Sequence, residues 1–506
     1  MAFIHRLLAL TAIGAFLSAV GADSSSSDRP ISKADTLEQC LEEREVPTKY
    51  PQDGDWEEYA ATYNIRVPVT PAAITIPKTI TDIKNALCCA TDHGVKVQPK
   101  SGGHSYASFS NGGKDGELVV DLRNFQNVSV DPKTKIAKVA GGVRLGNMAT
   151  ALYQQGKRAV AHGTCAGVGI GGHFLHGGYG FASRAWGLGL DQIVGLDVVL
   201  ADGKMIHATS KDYPEVYYAM RGAGDSIGIA INFYLETHAA PDKVINFRLD
   251  ASDATLSTDS TVNAYLTVQA FVHSNAIDRK HAFSISLQYN QFSLSGVNLG
   301  SGAEFNKSVK PAVLEALKDL PNPTLSAQEF GWLESLTDLN DGEPLQISEP
   351  YKARENFFAK SVIVQEPGLS ADRVRPYIDY ILNTDAPTPF FAYLDLYGGR
   401  DSQINTKDAN FSSFAHRDSL WVAQHYAWVD NDAVFPDEGI TYIDGLNDAL
   451  AWAVGGGYSS YYGYIDPTLS RKEAHRRYYG RAVSEKLRWI RDSVDPNRLF
   501  WNPFAI

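Results

Sequence analysis

Hydrophobic and polar positions in the first half of the chain fall into short runs that switch between a helical and a strand period. Ile80, Ile83, Leu87 and Ala90 recur at helical spacing behind Thr79-Ile80-Thr81-Asp82, which has the form of a capping box, and Gly94 supplies a stop. A helix is predicted there. A strand is expected over Val95–Val97, leading into the loop Pro99-Lys100-Ser101-Gly102-Gly103-His104-Ser105-Tyr106. Leu118–Asp121, Val128–Val130 and Ile136–Val139 read as further strands, and Leu145–Gln155 as a helix closed by Gly156. Ile193–Leu200 and Lys204–Ala208 flank Ala201-Asp202-Gly203, a hairpin signal. A helix over Asp212–Met220 and a strand over Gly228–Glu236 follow.

From about residue 241 the texture changes. Phe283–Phe292 and Phe390–Leu396 are long alternating or aromatic strands, separated by helical stretches such as Val309–Leu320. That is the pattern of a second unit built on one large antiparallel sheet, giving an α+β chain of two domains. The closing segment Ser470–Arg491 is predicted as one helix with Tyr479, Val483, Leu487 and Ile490 on one face.

Ahead of these elements, Met1–Arg6 carries a basic residue and Leu7–Val20 is an apolar run ending in Ala19-Val20-Gly21-Ala22. At roughly 14 residues the run is shorter than the ~20 that span a bilayer, and it reads as a secretory signal peptide over residues 1–22. Sequons at Asn127, Asn306 and Asn410 fit a glycosylated extracellular protein. The 46 Lys+Arg against 58 Asp+Glu leave a net charge of -12, which argues against nucleic acid or an anionic membrane as partner. A secreted monomer is the default expectation.

In an oxidising compartment, Cys40, Cys88, Cys89 and Cys165 would by default form two disulfides. Cys88 and Cys89 are neighbours on a predicted helix, where successive side chains diverge by about 100° and cannot both face Cys40. One bridge is expected, from Cys40 to Cys88 or Cys89. Cys165 stands alone in Gly163-Thr164-Cys165-Ala166-Gly167, where glycines leave the sulfur approachable. Such a thiol needs burial or a partner.

Gly167-Val168-Gly169-Ile170-Gly171-Gly172 satisfies the dinucleotide pattern G-x-G-x-x-G, with Asp191 at the distance of its ribose-binding acid. The context is wrong, because that acid should end a strand and Asp191 precedes one. The two glycine-rich loops make better sense together. Bare backbone at Ser101-Gly102-Gly103-His104-Ser105 can aim N–H groups at a pyrophosphate. The eight glycines of Gly163–Gly180 let a flat ring lie against backbone. Spacing alone makes His104 a turn residue and Cys165 a buried thiol, and goes no further than an anion- and ring-binding site. No residue is assigned to a metal.

With Arg221-Gly222-Ala223-Gly224 and the tail from Tyr461, these loops resemble the berberine-bridge-enzyme-like flavoproteins of the vanillyl-alcohol-oxidase fold class. Within that class the likeness is to the secreted fungal gluco-, chito- and xylooligosaccharide oxidases, and it runs from about Cys40 to Ile506. The resemblance implies an FAD-binding domain formed by residues 23–240 and 455–506, with a substrate domain over 241–454. It implies an FAD joined twice, through His104 to the 8α-methyl and through Cys165 to carbon 6. Ser101, Gly102, Gly103, Ser105, Gly169, Gly171, Gly172, Asp191, Gly228, Ile229 and Tyr464 are its implied cofactor contacts.

The implied reaction is oxidation of the reducing-end anomeric hydroxyl to a lactone, which hydrolyses to an aldonic acid, with dioxygen reduced to hydrogen peroxide. Tyr461 matches the family's base, with Tyr464 as near rival, and Asp395 matches the helper it needs, since a free tyrosine titrates near pH 10. Tyr106, Gln424, Tyr393 and Gln288 are the implied sugar contacts. Tyr393 stands where the oligosaccharide oxidases often carry glutamine, which leaves the sugar open. Val168 matches a position that controls oxygen access, and its small side chain favours an oxidase. The alternative is oxidation of a fungal secondary metabolite, an alkaloid or aromatic alcohol, on the same fold. Relatives of that kind use a glutamate base in the tail region, for which no acid here substitutes.

Overall fold

The Thr79 hydroxyl accepts the Asp82 N–H, and the Asp82 carboxylate accepts the Thr79 N–H, so the helix Ile80–Asp92 starts where its sequence says. In the computed structural model, which describes residues 36–506, this helix lies between two strands of a four-stranded sheet. The order is Thr48–Lys49, Ala73–Thr75, Leu118–Asp121 and Val97–Lys100, and the last three run parallel. The expected signal peptide lies outside the described residues.

Val97–Lys100 begins two residues later than its sequence predicts. Pro99 is tolerated there because this is an edge strand of that sheet. The C-terminal tail closes over it, with the Val97 N–H donating to Leu499 and the Trp501 N–H donating to Val97. A second, five-stranded antiparallel sheet follows in the order Val128–Val130, Ile136–Ala140, Ile229–Glu236, Ile193–Val199, Met205–Ala208.

Residues 244–429 supply seven antiparallel strands, ordered Thr324–Phe330, Val244–Asp250, Gln291–Asn298, His281–Gln288, Phe390–Leu396, Ser419–Val429, Asn356–Gln365. Alternate residues such as Phe283, Ile285, Leu394 and Ala423 bury themselves in one apolar cluster with the helices Thr258–His273, Ala371–Asn383 and Asp437–Val454. The intervening residues face the other way, toward the glycine loops.

Three expected elements differ. Phe283–Phe292 is not one strand but parts of two, His281–Gln288 and Gln291–Asn298, folded back at Tyr289-Asn290, with Asn290 taking a φ of 62°. The closing helix is two helices, Arg471–Tyr478 and Gly480–Val494, because Gly480 takes a φ of 67° between them. The helix expected at Val309–Leu320 starts earlier and ends earlier, running from Gly302–Glu304 through a π-helical turn at Phe305–Val309 into Lys310–Ala316.

Cys40 pairs with Cys89, and Cys88 is a free, half-buried thiol beside Asp92. Asn127, Asn306 and Asn410 are all exposed. No helix among the described residues is long and apolar enough to cross a membrane. The bridge spans 49 residues, and by chain entropy its loss is expected to cost about 4 kcal/mol. Cys89→Ser should therefore lower the midpoint of denaturant unfolding sharply, whereas Cys88→Ser should change stability by no more than about 0.5 kcal/mol.

Candidate active site

Two stretches of bare backbone meet at the centre of the molecule. A Cβ on Gly102 would stand 2.4 Å from the Gly169 nitrogen, and one on Gly169 would stand 2.1 Å from the Gly102 nitrogen, so only glycine permits the contact. Arg144 ties the loops together. Its Nη1 donates to the Gly102 carbonyl at 2.7 Å and the Gly167 carbonyl at 2.6 Å, while Glu349 balances its charge at 2.6 Å. The Ser101 hydroxyl donates to the Gly141 carbonyl and accepts the Gly171 N–H.

This contact brings His104 and Cys165 together, with Sγ 3.7 Å from Nε2. The Tyr63 ring stacks on the imidazole at 3.6 Å. Burial and the nearby Arg144 charge push the His104 pKa down to about 3, so the ring is neutral. Cys165 is open to the cleft, and the protein packed around its other sides raises the thiol's pKa.

The loops line one side of a cleft of about 610 Å³. Its opposite wall is the outer face of the large sheet. Phe391, Tyr393 and Asp395 alternate along one strand, and Gln424 and Tyr426 along the next, with Tyr393 opposite Gln424 and Phe391 opposite Tyr426. Phe391 stacks on Tyr426 at 4.9 Å and on Tyr393 at 4.2 Å, which makes a continuous aromatic surface. The tail segment Tyr461–Ile465 lines the cleft between these walls.

Asp395 is buried and accepts hydrogen bonds from the Tyr464 phenol at 3.1 Å and from the Ser284 hydroxyl. Burial pushes its pKa up to about 6, against the pull of those two donors. Tyr464 is held well above its ordinary range, first by burial and then by the Asp395 charge. Beside this pair, Gln424 Nε2 donates to the Tyr106 hydroxyl at 3.0 Å, and the Tyr106 and Tyr464 rings lie 6.0 Å apart.

Most of the anticipated residues line this cleft: Ser101, Gly102, Gly103, His104, Ser105, Tyr106, Cys165, Gly169, Gly171, Gly172, Gly228, Tyr393, Asp395, Gln424, Tyr461 and Tyr464. Four of the expected residues are placed differently from the rest. The Tyr461 oxygen accepts the Gly178 N–H at 3.1 Å, whereas the Tyr464 hydroxyl donates to Asp395. Asp191 makes a buried ion pair with Arg417 at 2.7 Å and accepts the Leu188 N–H, and it does not line the cleft. Ile229, expected to face the cofactor through its backbone, has its side chain in the core behind the cleft, and its neighbours Gly228 and Ala230 are among the lining residues. Gln288 ends its strand opposite Gln291, outside the lining residues.

Sequence reasoning missed a buried cluster that also reaches the cleft. Asp225 accepts from Tyr462 and Asn502, each at 2.7 Å, and faces His176 at 3.3 Å. Burial opposes its charge, but His176 and these donors hold its pKa down to about 2. Asp225 directly follows the Arg221-Gly222-Ala223-Gly224 motif, which was the available signal. Tyr63, Tyr351 and Glu355 were also missed, and they carry no local signature.

Residues 71–209 match the FAD binding domain family, and residues 460–506 match the berberine and berberine-like family. The chain is 35% identical to the xylooligosaccharide oxidase of Thermothelomyces thermophilus, over 95% of this chain and 96% of that protein. The chain belongs to the berberine-bridge-like FAD-linked oxidoreductases. The structure of a xylooligosaccharide oxidase from Myceliophthora thermophila C1 in complex with xylobiose matches with a TM-score of 0.88, covering 93% of this chain and 99% of that one. A glucooligosaccharide oxidase from Acremonium strictum, described with a 6-S-cysteinyl, 8α-N1-histidyl FAD, is 30% identical and matches with a TM-score of 0.87 over 93% of this chain and 99% of that one.

The present residues fit the family's cofactor. A Cβ at Gly172 would meet no atom within 4 Å, so bare backbone faces open space, and a free sulfur and a neutral imidazole converge beside it. Asp191 stands apart from this cradle. Asp191→Asn should strip the buried Arg417 of its counter-charge and cost about 3–5 kcal/mol in unfolding experiments. The flavin content of the folded fraction should not change.

Proposed function

We propose that this FAD-linked oxidoreductase oxidises the reducing-end anomeric hydroxyl of an oligosaccharide to a lactone, with dioxygen taken to hydrogen peroxide. The observation that carries the reading is the Tyr464–Asp395 pair, set at 3.1 Å within an open, aromatic-walled cleft. Attached through His104 and Cys165, FAD supplies the hydride acceptor. In this reading residues 23–240 and 455–506 hold the cofactor, and residues 241–454 present the sugar.

The protein's part is to remove the hydroxyl proton as hydride leaves carbon. Tyr464 accepts that proton while passing its own to Asp395, so no free tyrosinate has to form in a buried site. Asp395 suits the task because a pKa near 6 leaves it ionised at neutral pH yet ready to take a proton. The shared proton makes the titration a property of the pair. Gln424 and Tyr106 hydrogen-bond sugar hydroxyls, and sugar C–H faces lie on Phe391, Tyr393 and Tyr426.

Val168 lines the cleft beside the Cys165 loop, and its small side chain leaves dioxygen room to approach. The Cys40–Cys89 bridge and the three exposed sequons support secretion. Xylo-, chito- and glucooligosaccharide oxidases among the relatives support a sugar substrate.

Aerobic incubation with cello-, xylo- and chito-oligomers should yield aldonic acid and hydrogen peroxide in equal amounts from at least one series. Peroxide without aldonic acid would refute the anomeric assignment. Tyr464→Phe should slow flavin reduction by about 100-fold or more while sugar affinity stays within a few-fold. Tyr461→Phe should be far milder. Because the ionised Asp395 is the working form, kcat should fall as pH drops through about 6, and Asp395→Asn should abolish that acid limb.

A further inference from the structure

A third segment, distant in sequence from both loops, holds His104 and Cys165 in place. Glu349 pairs with the Arg144 guanidinium, and that guanidinium lies over the Tyr351 ring at 4.4 Å. The Tyr351 phenol reaches to 3.4 Å from His104 Nε2, and it lies close enough to the Cys165 thiol to pull that thiol's pKa down against burial. A Cβ at Gly167 would stand 2.2 Å from that phenol oxygen, so the bare backbone of Gly167 is what admits it beside the two groups. Sugar oxidation makes no use of this tyrosine.

We propose that Tyr351 is a positioning residue for cofactor attachment: its hydroxyl orients the imidazole and the sulfur toward one another and stabilises the Cys165 thiolate as the thioether forms. The inference rests on the double attachment argued above. Making the thioether replaces an S–H and a ring C–H by a C–S bond. Two protons and two electrons are released, and dioxygen takes them up as hydrogen peroxide. Only the thiolate is a competent nucleophile, and burial works against it. A hydrogen bond donated by a phenol offsets that penalty. Tyr351 stays a donor throughout the working range because burial pushes its own pKa up to about 12. His104 is neutral and needs no such help.

Tyr351→Phe removes the hydroxyl and keeps the ring that Arg144 covers. Wild type and variant, purified as folded holoprotein, would be denatured and digested, and the flavin-bearing peptides counted by mass spectrometry. The expected variant carries flavin on His104 in nearly every molecule and on Cys165 in fewer than about one in ten. Incubating it in air at stepwise higher pH, until the buried thiol ionises without the phenol, should close the missing bond. Complete attachment at both residues in the variant at pH 7 would overturn the proposal, as would a missing sulfur bond that alkaline incubation fails to restore. A wild type without both bonds would instead defeat the double-attachment reading, so the two failures are distinguishable.

Discussion

The backbone contact between Gly102 and Gly169 is the constraint on which the rest of the site depends. Two loops from different parts of the chain approach to a distance that no side chain tolerates, and the buried Arg144 bridges their carbonyls. Neither loop could hold this position alone, because each leaves carbonyl oxygens that need a donor. The guanidinium answers both with one group, and Glu349 neutralises the charge it brings. His104 and Cys165 inherit their proximity from this arrangement. So does the glycine-lined surface that accepts a planar ring. The large sheet contributes the opposite wall, and its two-residue period decides which side chains reach the cleft.

A second constraint is the cost of burying the Tyr464–Asp395 pair. Taken separately, burial drives both groups toward their neutral forms, which would leave an acid and a phenol with no base between them. Held at hydrogen-bond distance, the phenol and the carboxylate share one proton between them. The Ser284 hydroxyl matters here because it gives the carboxylate a second donor and keeps it from rising further. The aromatic wall adds apolar surface to the same cleft without adding charge.

Local chemistry was legible in the sequence where it was dense and contiguous. The His104 and Cys165 loops concentrate glycine with one reactive residue each, and both line the cleft. Tyr461 and Tyr464 share one turn, and the sequence could not rank them. In the fold they part: the Tyr461 oxygen accepts the Gly178 N–H, and the Tyr464 hydroxyl donates to Asp395. Asp191 matched a spacing rule, yet it accepts the N–H of Leu188 in its own turn and answers the charge of Arg417. The hairpin at Tyr289-Asn290 was hidden because apolar alternation runs straight through it without a glycine. Gly480 was visible, but the helical period on either side masked the break. Tyr63, Tyr351 and Glu355 reach the site only through tertiary packing.

The central claim is that the cleft oxidises a sugar at its anomeric carbon. Anaerobic titration of the purified flavoprotein with a reducing oligosaccharide and with its alditol separates that claim from its rivals, because the alditol keeps every other hydroxyl type and lacks the anomeric one. The account predicts that the reducing sugar bleaches the flavin absorbance while the alditol leaves it intact. Equal bleaching by both, or by neither across gluco-, xylo- and chito-oligomers, would contradict it.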